Sequence, residues 1–128
     1  MTARWLWVAL LAGVAYLLIG RLFPNPPTNP QAWRLAAWIA SAIVFAAHIG
    51  YERFIVRGSP RSIALHTATA VAIGALGLAV AGMSHSISTG AGVRPIWIVA
   101  LVAWPAITAV PAFFVALVAS QLLARVTR

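Results

Sequence analysis

Three side chains near the ends of two apolar segments have types and spacing that suit proton or ligand chemistry: His48, Glu52 and His66. His48 and Glu52 stand four residues apart, so a helix projects both from one face. At the helical rise, His48 lies about 6 Å deeper than Glu52, and His66 lies about 7.5 Å beyond Arg61 in the next segment. The spacing therefore predicts that the three side chains share one level.

Three chemistries fit a carboxylate beside two imidazoles. Histidine titrates near neutral pH and a carboxylate can fix its tautomer, so the group could relay protons. The same side chains could ligate a divalent metal ion, one ligand short of a closed four-ligand site. His48 and His66 on facing helices could also hold a haem iron axially. No specific motif marks any of the three, so the alternatives stay open.

A simpler interpretation of the same residues is the one that the sequence alone favours. Glu52 is the only acid in the chain, and arginines follow it at positions 53, 57 and 61. Glu52 would then neutralise an arginine at the membrane boundary, and the histidines would hydrogen-bond to neighbours there. The third histidine, His85, falls in a polar segment and is expected to be a solvated loop residue.

Most enzyme templates are excluded. The chain has no aspartate, no cysteine and one glutamate, so it cannot supply paired carboxylates or an aspartate-supported serine triad. Without cysteine it also lacks disulfides, iron–sulfur clusters and cysteine-ligated zinc. An intramembrane enzyme built on histidines, serines and Glu52 ranks third, behind transport and redox functions.

The elements that must position these residues are membrane-spanning helices. The chain has 128 residues, of which 62% are apolar and 8% charged, whereas about a quarter of the residues of a soluble domain are charged. Four runs of about 20 apolar residues match the thickness of a bilayer core. The positive charge lies on single arginines at the ends of these runs, which excludes a nucleic-acid surface.

Proline and its neighbours mark where the helices begin. We predict one membrane domain, residues 1–128, folded as an antiparallel bundle of four transmembrane helices at about 4–23, 30–54, 60–83 and 95–124. Asn29 before Pro30 suits a cap and a first helical position, and Ser59 before Pro60 repeats this pattern after Gly58.

The connections have two compositions. The proline-rich segment 24–30 suits an extended linker, and the polar segment 84–92 suits a flexible loop. No small-x-small cleavage site follows the first apolar run, so we interpret that run as an uncleaved helix rather than a signal peptide.

The arginines predict an orientation. Six fall on one side of the bundle and three on the other; the six are Arg4, Arg53, Arg57, Arg61, Arg125 and Arg128, and the three are Arg21, Arg34 and Arg94. The richer side is expected to be cytoplasmic, with both termini there. We expect a protein of a bacterial cytoplasmic membrane, whose anionic lipid headgroups serve as counter-ions. The tryptophans at 5, 7, 33 and 97 are expected to anchor it at the interfaces.

Small residues predict how the helices pack, because helices in lipid associate through close contact. The third segment has two rows of them at helical spacing: Ala68, Ala72, Ala75, Ala79 and Gly82 form one, and Ala70, Gly74, Gly77 and Ala81 form the other. One row could face the bundle and the other a second copy, which predicts a homo-oligomer or a membrane-protein partner.

Two prolines predict a bend in the last helix. Pro105 and Pro111 each remove a backbone hydrogen bond, which frees the carbonyls of Leu101 and Ile107. Neighbouring helices, water or Thr108 could satisfy these carbonyls. The sharper alternative is a broken helix at a substrate site.

Together these observations favour a small membrane transporter or channel, assembled as an oligomer, in which Glu52, His48 and His66 handle protons or a cation. Two alternatives are a redox protein with haem held by both histidines and a noncatalytic accessory subunit of a larger membrane complex. In size the chain is similar to the small multidrug-resistance transporters. That family has a glutamate in its first helix, and this chain has none there, so no family is assigned.

Overall fold

Four long helices make up the computed structural model, which describes residues 3–23 and 27–128. Helix α1 spans Arg4–Leu22, α2 spans Pro30–Tyr51, α3 spans Pro60–Ser88 and α4 spans Pro95–Val126. A π-helix of five residues, Glu52–Val56, continues α2. Four helical segments are long and apolar enough to cross a membrane. The predicted all-helical class with four helices of spanning length is therefore confirmed.

Helix α3 is the centre of the bundle and packs most extensively against α4 and α1. Gly13 of α1 lies beside Ala70 and Ile73 of α3, and Gly20 lies beside Leu78. The contact positions increase together along both helices, so α1 and α3 are parallel neighbours.

Helix α4 runs the opposite way along α3. Gly82, late in α3, faces Trp97 near the start of α4. Ile63, early in α3, shares a buried cluster with Ala116, late in α4. Ile49 of α2 joins the same cluster, so the end of α2 meets both helices.

Both rows of small residues on α3 are used inside the chain. Gly74 and Gly77 of one row lie against Tyr16 and Leu17 of α1. Gly82 of the other row lies against the indole of Trp97. Both rows therefore have partners within the chain, so they do not by themselves support a homo-oligomer, which stays a prediction.

Helices α2 and α3 begin at the predicted prolines, Pro30 and Pro60. Ser59 caps α3, and its hydroxyl accepts a hydrogen bond from the Ser62 N–H at 3.3 Å. Asn29 precedes α2 as predicted, but its side chain makes no capping hydrogen bond. The left-handed residue that ends the π-helix is Arg57, with φ of 59°, rather than Gly58. Residues 24–26 of the predicted linker lie outside the described residues.

The predicted loop at 84–92 is wrong for residues 84–88, because α3 continues to Ser88. Serine and threonine suit a helix end when their hydroxyls bond to its carbonyls. Thr89 donates to the carbonyl of His85 at 3.0 Å, and Ser86 donates to the carbonyl of Gly92 at 2.9 Å. The loop therefore begins after Ser88, where Gly90 and Gly92 adopt positive φ.

Helix α4 runs through both of its prolines without interruption and has 32 residues, a length of about 48 Å. The hydroxyl of Thr108 donates to the carbonyls of Trp104 and Pro105, at 2.8 and 3.2 Å. Thr108 makes no hydrogen bond to the carbonyls of Leu101 and Ile107, which lose their usual donors because of Pro105 and Pro111. The prediction that Thr108 satisfies these carbonyls is therefore wrong. The alternative of a broken α4 is also wrong, whereas a bend stays a prediction.

Candidate functional site

The chain places its one acid at a change of helix type. Glu52 is the first residue of the π-helix and is 0% exposed. Its carbonyl accepts hydrogen bonds from the N–H groups of Arg57 and Gly58, the latter at 3.0 Å. A π-turn is wider than an α-turn and occurs often at functional sites. Here it marks the point where the Glu52 side chain enters the bundle.

Two histidines meet this carboxylate from different helices. The Nδ1 atom of His66 on α3 lies 3.1 Å from Oε2 of Glu52. The Nε2 atom of His48 on α2 lies 3.8 Å from Oε1 of Glu52. When Glu52 is ionised, the N–H of His66 donates to it. The structure thus brings together all three residues that the sequence singled out.

Glu52 is hydrogen-bonded to His66 but not to His48. Oε1 of Glu52 and both ring nitrogens of His48 are buried and have no hydrogen-bond partner among the described residues. Their separation of 3.8 Å exceeds the range of an ordinary hydrogen bond by about 0.6 Å. Buried polar atoms without partners are costly. A closer approach of the two groups, with one proton shared between Oε1 of Glu52 and Nε2 of His48, would remove the penalty at these two atoms.

Neighbouring elements fix the cluster from outside. The indole of Trp5 on α1 stacks on the imidazole of His66, with ring centres 4.4 Å apart and planes inclined by 9°. Gly58 leaves room beside the carboxylate, because a Cβ atom there would lie 3.3 Å from Cγ1 of Ile63 and 3.6 Å from Oε2 of Glu52. The π-helix, α1 and α3 therefore all position the Glu52–His66 pair.

Sequence reasoning missed the role of Trp5. The sequence predicts an interfacial anchor at this position, whereas the ring covers a face of His66. A signal was present, because Trp5 and His66 both lie a short distance from the arginine-rich end of the bundle. Recognising it requires knowing that α1 and α3 are parallel neighbours.

The simpler interpretation of Glu52 as an arginine's partner is wrong. Within residues 3–23 and 27–128, its carboxylate has charged or titratable neighbours within 4.0 Å only in His48 and His66. Arg53, the next residue, turns away and donates from Nη2 to the Thr127 hydroxyl at 2.9 Å. Consecutive helical residues project in different directions, so the Glu52 carboxylate lies inward while the Arg53 guanidinium reaches Thr127.

Other polar residues of α3 have local roles. Thr69 donates to the carbonyl of Leu65 on its own helix at 2.8 Å. His85 is exposed as expected, but it lies on α3 rather than in a loop. In the described part of the chain, no group of three histidine or carboxylate side chains has the arrangement of a metal site. Haem ligation by His48 and His66 stays a prediction.

Comparison with known proteins assigns no family to this chain. No family model, curated protein or solved structure matches it. The feature of the described residues with the clearest chemistry is the cluster itself: a buried carboxylate with an imidazole near each of its two oxygens.

Proposed function

We propose that this protein is a small membrane transporter or channel that moves protons through Glu52, His66 and His48. The observation that carries the proposal is the fully buried carboxylate of Glu52, held by His66 at 3.1 Å and left unbonded on the side of His48. Ionisable groups inside a membrane segment are expensive to maintain and mark ion or proton pathways.

The burial of the three groups supports an order of proton transfer. The side chain of His66 is 16% exposed, whereas the side chains of Glu52 and His48 are 0% and 1% exposed. A proton would enter at His66, pass to Glu52, and reach His48 when their gap closes to hydrogen-bonding distance. Imidazole and carboxylate side chains can both accept and donate protons.

Protons fit the cluster better than a metal ion or a haem. His66 is hydrogen-bonded to one oxygen of Glu52, and His48 lies 3.8 Å from the other oxygen, so the three groups form a sequence along which a proton could pass. The chain has one acid to offset a bound cation, and this acid is already engaged by His66. Transport through an oligomer belongs to the proposal, since four helices enclose only a narrow path.

We expect purified protein in sealed vesicles to collapse an imposed pH gradient faster than protein-free vesicles do. A pH-sensitive dye inside the vesicles measures the rate. The His85→Ala variant is the matched control, because it removes a histidine that is exposed and outside the cluster. It should conduct protons like the unmodified chain.

Three outcomes would argue against the proposal. Vesicles with the protein could keep their gradient under either direction of the pH difference and under an applied potential. Purified protein could instead show a Soret absorption band, which would favour the redox alternative with His48 and His66 as haem ligands. Isolation with an unrelated protein in fixed ratio, together with no flux, would favour the accessory-subunit alternative.

We further propose that the six-arginine side of the bundle, with both termini, faces the cytoplasm of a bacterial cell. The chain has no cysteine, so single introduced cysteines report position without background. A membrane-impermeant maleimide should label Thr28→Cys in intact cells and Ala3→Cys only after lysis. Both positions are exposed. The opposite labelling pattern would reverse the orientation.

A further inference from the structure

A second site of different chemistry lies where the π-helix meets the end of α4. A cavity of about 290 Å³ there is lined by Arg53, Phe54, Arg57 and Thr127. The lining therefore includes two arginines and a threonine, together with an aromatic residue. The cavity shares no lining residue with the Glu52 cluster.

One wall of the cavity is held in place. The hydroxyl of Thr127 donates to the carbonyl of Leu123 at 2.7 Å and accepts a hydrogen bond from Nη2 of Arg53 at 2.9 Å. A guanidinium has five N–H donors in a planar fork. Thr127 therefore fixes Arg53 through one donor and leaves the others for a ligand.

The cavity has positive charge that the chain does not neutralise. Glu52 is the only acidic residue, against nine basic ones, and its carboxylate contacts His66 and His48. In the described ranges, neither Arg53 nor Arg57 lies within 4.0 Å of a carboxylate. Two guanidiniums at one cavity are therefore available to a single anion from outside the chain.

The apolar residues around the two arginines favour an anion that is attached to hydrocarbon. Phe54, Ile55 and Val56, which we call the apolar strip, are 56%, 66% and 40% exposed. Phe54 also lines the cavity, so the strip adjoins it. Guanidinium groups match phosphate oxygens in geometry and can bind them with two parallel hydrogen bonds. A phosphate group attached to hydrocarbon would satisfy both the cavity and the strip.

We propose that this cavity binds the phosphate group of an anionic phospholipid, between Arg53 and Arg57, with acyl chain on Phe54 and Ile55. Inorganic phosphate has the same headgroup chemistry but cannot use the apolar strip. The proposal does not depend on proton transport, because lipid binding can be measured on purified protein without flux.

Native mass spectrometry of the protein in neutral detergent tests the site. The unmodified chain should bind phosphatidylglycerol at least about tenfold more tightly than phosphatidylcholine, since hydrogen bonds to charged groups are strong. The double variant Arg53→Gln/Arg57→Gln should lose this preference. The matched control Arg34→Gln/Arg94→Gln removes the same charge from two exposed arginines and should keep it.

A milder variant and a competitor complete the design. Thr127→Val keeps both arginines but removes the hydroxyl that holds Arg53, so it should weaken phosphatidylglycerol binding by a smaller factor than the double variant. The binding measured for Thr127→Val tests the site even if the double variant does not fold. Equal losses in both double variants, or unchanged binding in Thr127→Val, would overturn the site. Displacement of the lipid by an equal concentration of inorganic phosphate would overturn the lipid assignment.

Discussion

We expect the Glu52→Gln variant to lose proton flux in vesicles by about 100-fold or more, because a group that transfers protons contributes about 10²- to 10⁴-fold to such steps. Glutamine has the shape of glutamate and can still hydrogen-bond to His66, which lies 3.1 Å from the carboxylate. It cannot take up and release a proton near neutral pH. Flux measured with an internal pH dye, at equal protein content, gives the ratio.

The structure predicts that this loss is chemical rather than structural. The amide leaves no buried charge behind, since both histidines can be neutral, so the unfolding temperature in detergent should stay close to that of the unmodified chain. Glu52→Asp supplies a second comparison: it keeps the carboxylate but withdraws it from His66, and partial flux is expected. A Glu52→Gln protein that conducts at the original rate would remove Glu52 from the pathway.

The largest expected loss of stability comes from Gly74→Leu. A Cβ atom at this position would lie 2.7 Å from Cβ of Tyr16 and 3.1 Å from the carbonyl oxygen of Gly13. The second contact is with backbone, so α1 must move as a whole. Overpacking of a close helix contact costs about 1–3 kcal/mol and occasionally more, and we expect the upper end of this range. Thermal unfolding in detergent measures it.

Gly50→Leu is the matched control for this substitution. Gly50 is also a helical glycine, but a Cβ atom there would have no neighbour within 4 Å. The same change of residue should therefore leave the unfolding temperature nearly unchanged. Displacement of α1 also withdraws Trp5 from His66, so the fluorescence of the tryptophans should change in Gly74→Leu alone. Equal stability of the two variants would show that α1 and α3 do not pack through Gly74.

The sequence predicts the helices well because their signals are local. Pro30, Ser59 and Pro60 mark helix starts through their own backbone chemistry, and the apolar runs are long enough to identify each span. The level shared by His48, Glu52 and His66 also follows from local counting, since the two helices are joined by a short loop. These parts of the fold and site required no knowledge of distant contacts.

The parts that the sequence could not predict depend on contacts between distant segments. Whether Glu52 pairs with an arginine or turns inward depends on its contact with His66 of α3, and the local sequence around Glu52 does not show this contact. The stacking of Trp5 on His66 requires the pairing of α1 with α3. Rows of small residues allow a helix to pack closely against more than one other helix. They therefore indicate close packing but do not show which helix is the neighbour.

The direct pairing of α1 with α3 has a consequence for how the protein is made. Gly13 and Gly74 touch in the finished molecule but are 61 residues apart in the chain. At a synthesis rate of about 5–20 residues per second, roughly 3 to 12 s pass between the appearance of the two glycines. During that interval the first helix has no companion other than lipid, the insertion machinery or the second helix. A nascent chain stalled before the third helix would expose its glycine face and become a substrate for membrane proteases.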